Sequence, residues 1–200
     1  MGQLQCRGVT DEDPSQFRIT THNLLYLSVR RTLMNVVIEA IKKRRSVRRF
    51  EPKPVDKEVI REILDCARLA PTAINIQPWL FGAVTDNNLK RQIADITDHG
   101  KFIKDCAVCF AVFADVTQKY FLEDGCAATE NILLACTAYG IGSCWVAGHK
   151  KVYVDSIRTL LNVPEPYTLI ALIAAGYSDE KASPNKKSFD EVTFFDTFSG

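Results

Sequence analysis

The chain lacks the features that mark several common classes of protein. No uninterrupted apolar run is long enough to cross a bilayer, so no membrane partner is expected. The N-terminus has no basic start, apolar stretch and small-residue cleavage site of the secretory kind. Lysine and arginine number 25 against 24 aspartates and glutamates, a net charge of +1. No global field therefore draws the chain to nucleic acid. There is no Gly-rich dinucleotide fingerprint, no internal repeat and no low-complexity segment. Glu123, Asp124 and Glu130 form no paired-carboxylate arrangement suited to acid–base work. What remains is ordinary: 200 residues, 46% hydrophobic and 24% charged, suit one globular domain with a real core, or one with an appendage.

Cysteine is not scarce. There are seven, an odd number, and Cys106, Cys109, Cys126, Cys136 and Cys144 sit among apolar neighbours. That favours reduced, packed thiols and a cytoplasmic location over a disulfide framework. Cys106-Ala107-Val108-Cys109 has the spacing of a redox or zinc pair. Its apolar surroundings read as a buried strand, where residues three apart face opposite ways, so the sulfurs should not meet. No second pair at ligand spacing exists, and no metal is expected.

Two short segments carry most of the chemistry. Arg44-Arg45-Ser46-Val47-Arg48 packs three guanidiniums and a hydroxyl into five residues. Such a cluster fits a phosphate, because arginine binds oxyanions bidentately and keeps its charge. Pro71-Thr72-Ala73-Ile74-Asn75-Ile76-Gln77-Pro78-Trp79 places a hydroxyl and two carboxamides in a turn. That suits the edge of a planar heterocycle with alternating donors and acceptors. Together they point to a mononucleotide-like cofactor, and flavin mononucleotide (FMN) has that shape. The run Lys42–Arg49 alone would more often be a solvated helix end or a nucleic-acid patch, but neither explains the Asn75–Trp79 turn.

Periodicity orders the elements. Asn35 can cap a helix with Val36, Val37, Ala40 and Ile41 on one side, ending in the basic run. Asp56 starts an amphipathic helix through Val59, Ile60, Ile63, Leu64 and Ala67, stopped by Pro71. A strand spans 80–85, a helix follows Asp86, and a buried strand spans 107–114. A long helix over 124–139 is apolar on more than one side and closes at Gly140. A strand at 143–147, a helix at 153–161 and a strand at 168–175 complete the order. Interleaved helices and strands give an α/β or α+β class.

In this order and spacing the chain from about Val36 to Asp196 resembles the nitroreductase family of FMN-dependent oxidoreductases. The marks are Arg44–Arg48, Phe50, Pro54-Val55, Ala70–Ala73, Asn75, Gln77-Pro78-Trp79, Gly140–Trp145, Gly176-Tyr177 and Asn185–Val192. The resemblance implies an α+β fold, a central mixed β-sheet flanked by helices, in an intertwined homodimer with FMN at the subunit interface. It gives Arg44, Arg45 and Ser46 to the phosphate and ribityl chain, and Arg48 to the pyrimidine side of the flavin. It gives Pro71, Thr72, Ala73, Asn75 and Gln77 to a loop reaching the flavin from the partner subunit. Val146, Ala147 and Gly148 fall by the flavin's reactive N5, and Lys186 takes a place where the family often has a phosphate-binding arginine. The implied activity is hydride transfer from NADH or NADPH, through the flavin, to a small acceptor such as a nitroaromatic or quinone, in a ping-pong cycle. Rival readings are a flavin-storage protein without turnover, or a same-fold dehalogenase or flavin-degrading enzyme.

Four further expectations complete the reading. Asp98–Phe102 are candidate acceptor-pocket residues. His149 follows the N5 segment, where a lone histidine is more often structural than catalytic. Residues 1–33 form an appendage to a domain spanning 34–200. Phe194 and Phe195, in a polar tail, need cover from the partner chain.

Overall fold

The computed structural model describes residues 35–198; the expected appendage at 1–33 lies outside them. The elements run α1 (Val36–Lys43), α2 (Lys57–Arg68), β1 (Trp79–Val84), α3 (Asn87–Ile96), β2 (Val108–Asp115), α4 (Phe121–Ala138), β3 (Gly142–Ala147), α5 (Val154–Leu160) and β4 (Tyr167–Gly176). Short 3-10 turns span Ala73–Asn75 and Lys101–Asp105. The four strands lie in the order β1-β2-β4-β3 with antiparallel neighbours throughout. A single parallel bridge, Ser46 to Ser143, adds the basic segment to the β3 edge and makes the sheet mixed.

β2 and β4 are central and buried on both sides, and period-2 alternation divides their side chains between two cores. Phe110, Val112 and Ala114 face Ile60, Ile63 and Ala67 of α2 and Ile132 and Cys136 of α4. Cys109, Ala111 and Phe113 face Ile93 of α3 and Ile157 of α5. The alternation slips once. Val112 pairs with Ala171 and Phe113 with Leu169, so Ile170 is an extra residue, a β-bulge. Ile170 therefore joins Ala171 in the first core, while Leu169 and Leu172 lie in the second. The Ile170 carbonyl accepts from both Gly148 N and His149 N at 3.1 Å. A Cβ on Gly148 would come within 2.8 Å of that carbonyl oxygen and 2.7 Å of Leu169 Cγ, so the bulge demands glycine at 148.

Two local expectations are corrected. The long helix begins at Phe121, three residues before Asp124. Asp124 does not cap it; its carboxylate turns inward and is engaged elsewhere. Cys106 lies before β2, at the end of the 3-10 turn. Strand alternation therefore does not separate it from Cys109, and both thiols pack in the second core. Neither is in a disulfide. Burial pushes the Cys106 thiol up to about 11 and Cys136 up to about 12, and raises Cys109 as well. Such thiols are packing residues, as the sequence pattern indicates.

Candidate functional site

The basic segment leaves α1 and runs along the end of the sheet, held by its backbone. Val47 N donates to Ser143 O at 3.0 Å, and Glu51 N donates to Tyr177 O at 2.9 Å. Between them, Arg48 N and Arg49 N both donate to one oxygen of Glu180 at 2.9 Å. Those two N–H groups, with the nearby arginine charges, hold the Glu180 carboxyl below the usual carboxylate range. With the backbone clamped, the arginine side chains are left for other work. Arg44 is half-buried and has Glu130 of α4 at 3.8 Å, at the edge of ion-pair distance. The Arg48 guanidinium stands 5.9 Å from the Phe102 ring centroid and makes no ion pair among the described residues. Arg45 differs: its Nη1 donates to Lys42 O and Arg44 O, both at 2.7 Å, closing the C-terminal end of α1.

Beside this strip the protein keeps an unpartnered hydroxyl. Ser143 Oγ is buried without a hydrogen-bond partner, the one such side-chain atom among the described residues. Ser143 pairs with Ser46 across the parallel bridge. Cys144 follows it; burial pushes its thiol up, while Arg48, Ser46 and Arg44 pull it back. The sequence shows no cation near Cys144, and the fold supplies two.

The second segment is built on a different plan. Thr72 Oγ1 donates to Asp124 Oδ2 at 2.9 Å, and Ala73 N donates to Asp124 Oδ1 at 3.2 Å. The same Thr72 hydroxyl accepts from Gln77 N at 3.1 Å, so one buried carboxylate organises the whole turn. Ile74, Asn75 and Gln77 have φ of 45°, 60° and 55°. None is glycine, and the left-handed region is costly for a β-branched residue such as Ile74. The strain throws the tip outward: Ile74 is 92% exposed. Asn75 presents its carboxamide to solvent, while Gln77 Nε2 donates to Asn75 O at 3.3 Å. Pro71 is exposed at the base of the turn.

Asp124 and Glu130 both belong to α4, so one helix anchors the turn through the first and meets Arg44 through the second. β3 joins the two remaining groups of expected site residues. It carries Ser143 beside Ser46 and ends at Val146-Ala147, with Gly148 locked on the bulge. Tyr153 Oη donates to Ala147 O and holds that end. Lys186 is not brought in: it sits exposed in the tail with no recorded partner among the described residues. His149 packs edge-on against Phe121, with ring centroids 5.6 Å apart. Of Asp98–Phe102, only Phe102 reaches the arginines. Asp98 pairs with Lys151 at 3.3 Å, and Lys101 donates to Ala94 O and Asp95 O.

Sequence reasoning missed Asp124 and Glu180. Asp124 had a signal: it shares an inward helical stripe with Ala128 and Ile132, where an acid needs a partner. Glu180 lies in an irregular segment and has no comparable signal. Among the described residues no cluster of three or more His, Cys, Asp or Glu is placed to hold a metal, and no helix is long and apolar enough to cross a membrane.

The donor set fits a flavin mononucleotide. Two guanidiniums, Arg48 without an ion pair among the described residues and Arg44 with only Glu130 at 3.8 Å, a seryl hydroxyl and an orphaned buried hydroxyl suit a phosphate and a polyol chain. Comparison with known proteins agrees. The Nitroreductase family model matches residues 41–100 and 97–177. A candidate NADH dehydrogenase/NAD(P)H nitroreductase of Methanothermobacter thermautotrophicus is 33% identical over 149 residues, covering 72% of this chain and 78% of that protein. The crystal structure of a protein described in the same terms from Bacteroides thetaiotaomicron superposes with a TM-score of 0.78 at 27% identity, over 82% of this chain and 99% of the other. A candidate nitroreductase of Desulfovibrio desulfuricans, crystallised in complex with FMN, gives 0.71 at 28% identity, over 83% and 99%.

Proposed function

The chain belongs to the nitroreductase family, and we propose that it is an FMN-dependent oxidoreductase that carries electrons from NADH or NADPH to a small acceptor such as a nitroaromatic or quinone. The observation that carries this is the backbone-clamped strip, which bridges Ser46 to Ser143 and brings Arg44 and Arg48 to β3 at Cys144. FMN supplies, when bound, a ring that accepts two electrons from a reduced nicotinamide and returns them to an acceptor. The chain supplies the binding and the field. Arg44 and Ser46 hold the phosphate and polyol chain, with Arg45 closing α1 beside them. Arg48 offers a fixed positive charge where reduction builds negative charge, and Phe102 keeps that guanidinium oriented. Pro71, Thr72, Ala73, Asn75 and Gln77 present their turn to the ring, and Val146, Ala147 and Gly148 offer backbone groups from the end of β3. Lys186 adds a cation once the tail is docked.

What one chain leaves uncovered supports a homodimer. Phe189, Val192, Phe194, Phe195 and Phe198 are each 60% exposed or more, as is Ile74 at the tip of the turn. So many large apolar groups left exposed by one chain are the mark of an interface. A second copy covers the tail and brings its own turn to the site. Donor and acceptor use one face in succession, giving ping-pong kinetics and a cytoplasmic enzyme fed by the soluble nicotinamide pool. The test is direct. Purified protein should be yellow, release FMN on denaturation, run as a dimer and bleach within seconds of mixing with NADH or NADPH without oxygen. Yellow protein that never bleaches is a storage protein, and a screen of nitroaromatics, quinones and halogenated phenols separates nitroreduction from dehalogenation.

A further inference from the structure

A cavity of about 930 Å³ has Phe50 in its wall, and none of the flavin-site residues named above lines it. Its walls are the segment Phe50–Ile60, the start of α3 and the stretch Lys104–Ala107 that leads into β2. The volume is at the upper end of the range for small-molecule sites, but the lining is not that of an apolar pocket. Lys53, Lys57, Lys90, Arg91 and Lys104 face Glu51 and Asp105, five cations against two carboxylates. None of these seven makes an ion pair among the described residues.

Lys90 is the telling residue. It is only 4% exposed. Its ammonium donates to Cys106 O and, at 3.5 Å, to Ala107 O. Carbonyl dipoles ease the burial but supply no countercharge, and lysine is almost never buried without a charged partner. Thr85 and Asn87 put the first turn of α3 on the same wall; Asp86 caps that turn, its carboxylate accepting from Leu89 N at 2.8 Å, so the excess of positive charge comes from the lysine and arginine side chains. Lys53 is partly engaged by the Tyr177 ring at 4.1 Å. Lys57, Arg91 and Lys104 have no recorded partner among the described residues and surround the buried charge.

We propose that this cavity is a second ligand site, distinct from the flavin site, for a small molecule bearing a phosphate group, with Lys90 as its buried charge and Lys57, Arg91 and Lys104 as the outer contacts. Two sources share that chemistry: a free nucleotide, and the 2′-phosphoadenosine end of NADPH, which rests on the donor reading above. Calorimetry with pyrophosphate, 5′-ADP and 2′,5′-ADP at low salt tests the site on the flavin-loaded protein. Flavin absorbance is followed in the same cell. The cavity is read whether or not flavin is held, so failure here and failure of the flavin reading are separate results.

Saturable one-to-one binding is expected, without loss of flavin. It should weaken about tenfold or more in the Lys57→Ala/Arg91→Ala/Lys104→Ala variant, the scale of three lost charge contacts to phosphate. Lys90→Met should abolish it, and the triple variant, confined to exposed residues, keeps the test decisive if Lys90→Met does not fold. Preference for 2′,5′-ADP, with a raised KM for NADPH alone in the triple variant, assigns the site to the donor. Equal binding of both nucleotides with unchanged KM assigns it to a free nucleotide. No binding by any probe, undiminished binding in the triple variant, or binding that displaces flavin overturns the proposal.

Discussion

The basic strip at 44–49 and the turn at 72–77 face one task, presenting polar groups to one ligand, and solve it in opposite ways. The strip is held through its backbone: Val47, Arg48, Arg49 and Glu51 all donate their amides to the end of the sheet and to Glu180. Val47 is buried and Arg45 closes α1, but the side chains of Arg44 and Arg48 take little part in the fold. The turn is held through side chains, a threonine hydroxyl on a buried aspartate, and is bent through three positive-φ residues. A backbone-held segment can change its side chains without loss of structure. A segment hung on one carboxylate cannot. Binding defects at the strip should therefore leave stability intact, whereas a defect at the turn's anchor should reduce both.

The largest expected effect tests that asymmetry at the anchor. Asp124→Ala leaves the Thr72 hydroxyl and the Ala73 N–H without their acceptor; the cost is about 1–3 kcal/mol for a fully buried group and falls at the low end here, because both donors are part-buried. Urea unfolding should show a loss of that order, and flavin affinity should fall with it. Asp124→Asn keeps one acceptor and the shape, so it should recover part of both. Wild-type stability in Asp124→Ala would show that the turn holds itself.

Next in size come the arginines. Arg44→Ala should weaken FMN binding by an amount set by one charged hydrogen-bonding group, about 1.5–3 kcal/mol. The urea midpoint of the flavin-free protein should stay unchanged, because Glu130 at 3.8 Å is a weak partner. Arg48→Ala should also lower the midpoint potential of the bound flavin. The shift should be some tens of millivolts, on a scale of about 30 mV per 1.4 kcal/mol for a two-electron couple. A stable, flavin-loaded Arg48→Ala protein with an unchanged potential removes Arg48 from its assigned role.

The same contrast explains what could be read from the sequence. The strip was legible because its function lies in its side chains, and three arginines in five residues are visible in one dimension. The element order was legible because helices and strands carry their own periods, and the observed ends lie within three residues of the expected ones. The turn was legible only as a set of polar residues. That Thr72 serves the loop itself, through Asp124, depends on a contact 52 residues away in sequence. Gly148 teaches the converse. Resemblance places it by the flavin, yet its lack of a side chain is explained by the Ile170 bulge against which it packs. The slip that creates the bulge is a tertiary event, and nothing in the alternation of β4 announces which residue will be the extra one.

A smaller effect concerns Glu180, which joins the strip to the segment after β4. Its pKa is lowered in the fold from an ordinary value of 4.5, first by the Arg48 and Arg49 amides. A carboxylate whose folded pKa is depressed contributes stability that is present above its unfolded value and lost as pH falls through the folded one. Glu180→Gln should therefore be less stable than wild type at neutral pH, modestly, because the group is close to solvent. The two should converge as the pH is taken below 4.5. Curves that stay parallel through that range would mean the clamp does not depend on the Glu180 charge.

The smallest effect is expected from removing residues 1–33. The family match begins at residue 41, and α1 begins at Val36 and leads directly into Arg44. Apart from Arg44 N, which donates to Ala40 O of α1, the amides that fix the strip go to Ser143, Tyr177 and Glu180, all in the body of the domain. If those contacts suffice, a chain starting at Met34 should bind FMN, dimerise and bleach with NAD(P)H as the full chain does. The opposing consideration is the apolar group Leu24, Leu25, Tyr26, Leu27 and Val29, together with the exposed apolar side chains of Val36 and Ile41 on α1. If the flavin-binding fold needs those groups, the strip depends on more than its own amide contacts. Flavin affinity of the shortened chain separates the two. An unchanged value makes residues 1–33 an appendage and leaves the strip held by its backbone contacts alone. A loss comparable with that of Arg44→Ala would make α1 and what precedes it a second support, and the strip would then resemble the turn in depending on a remote anchor.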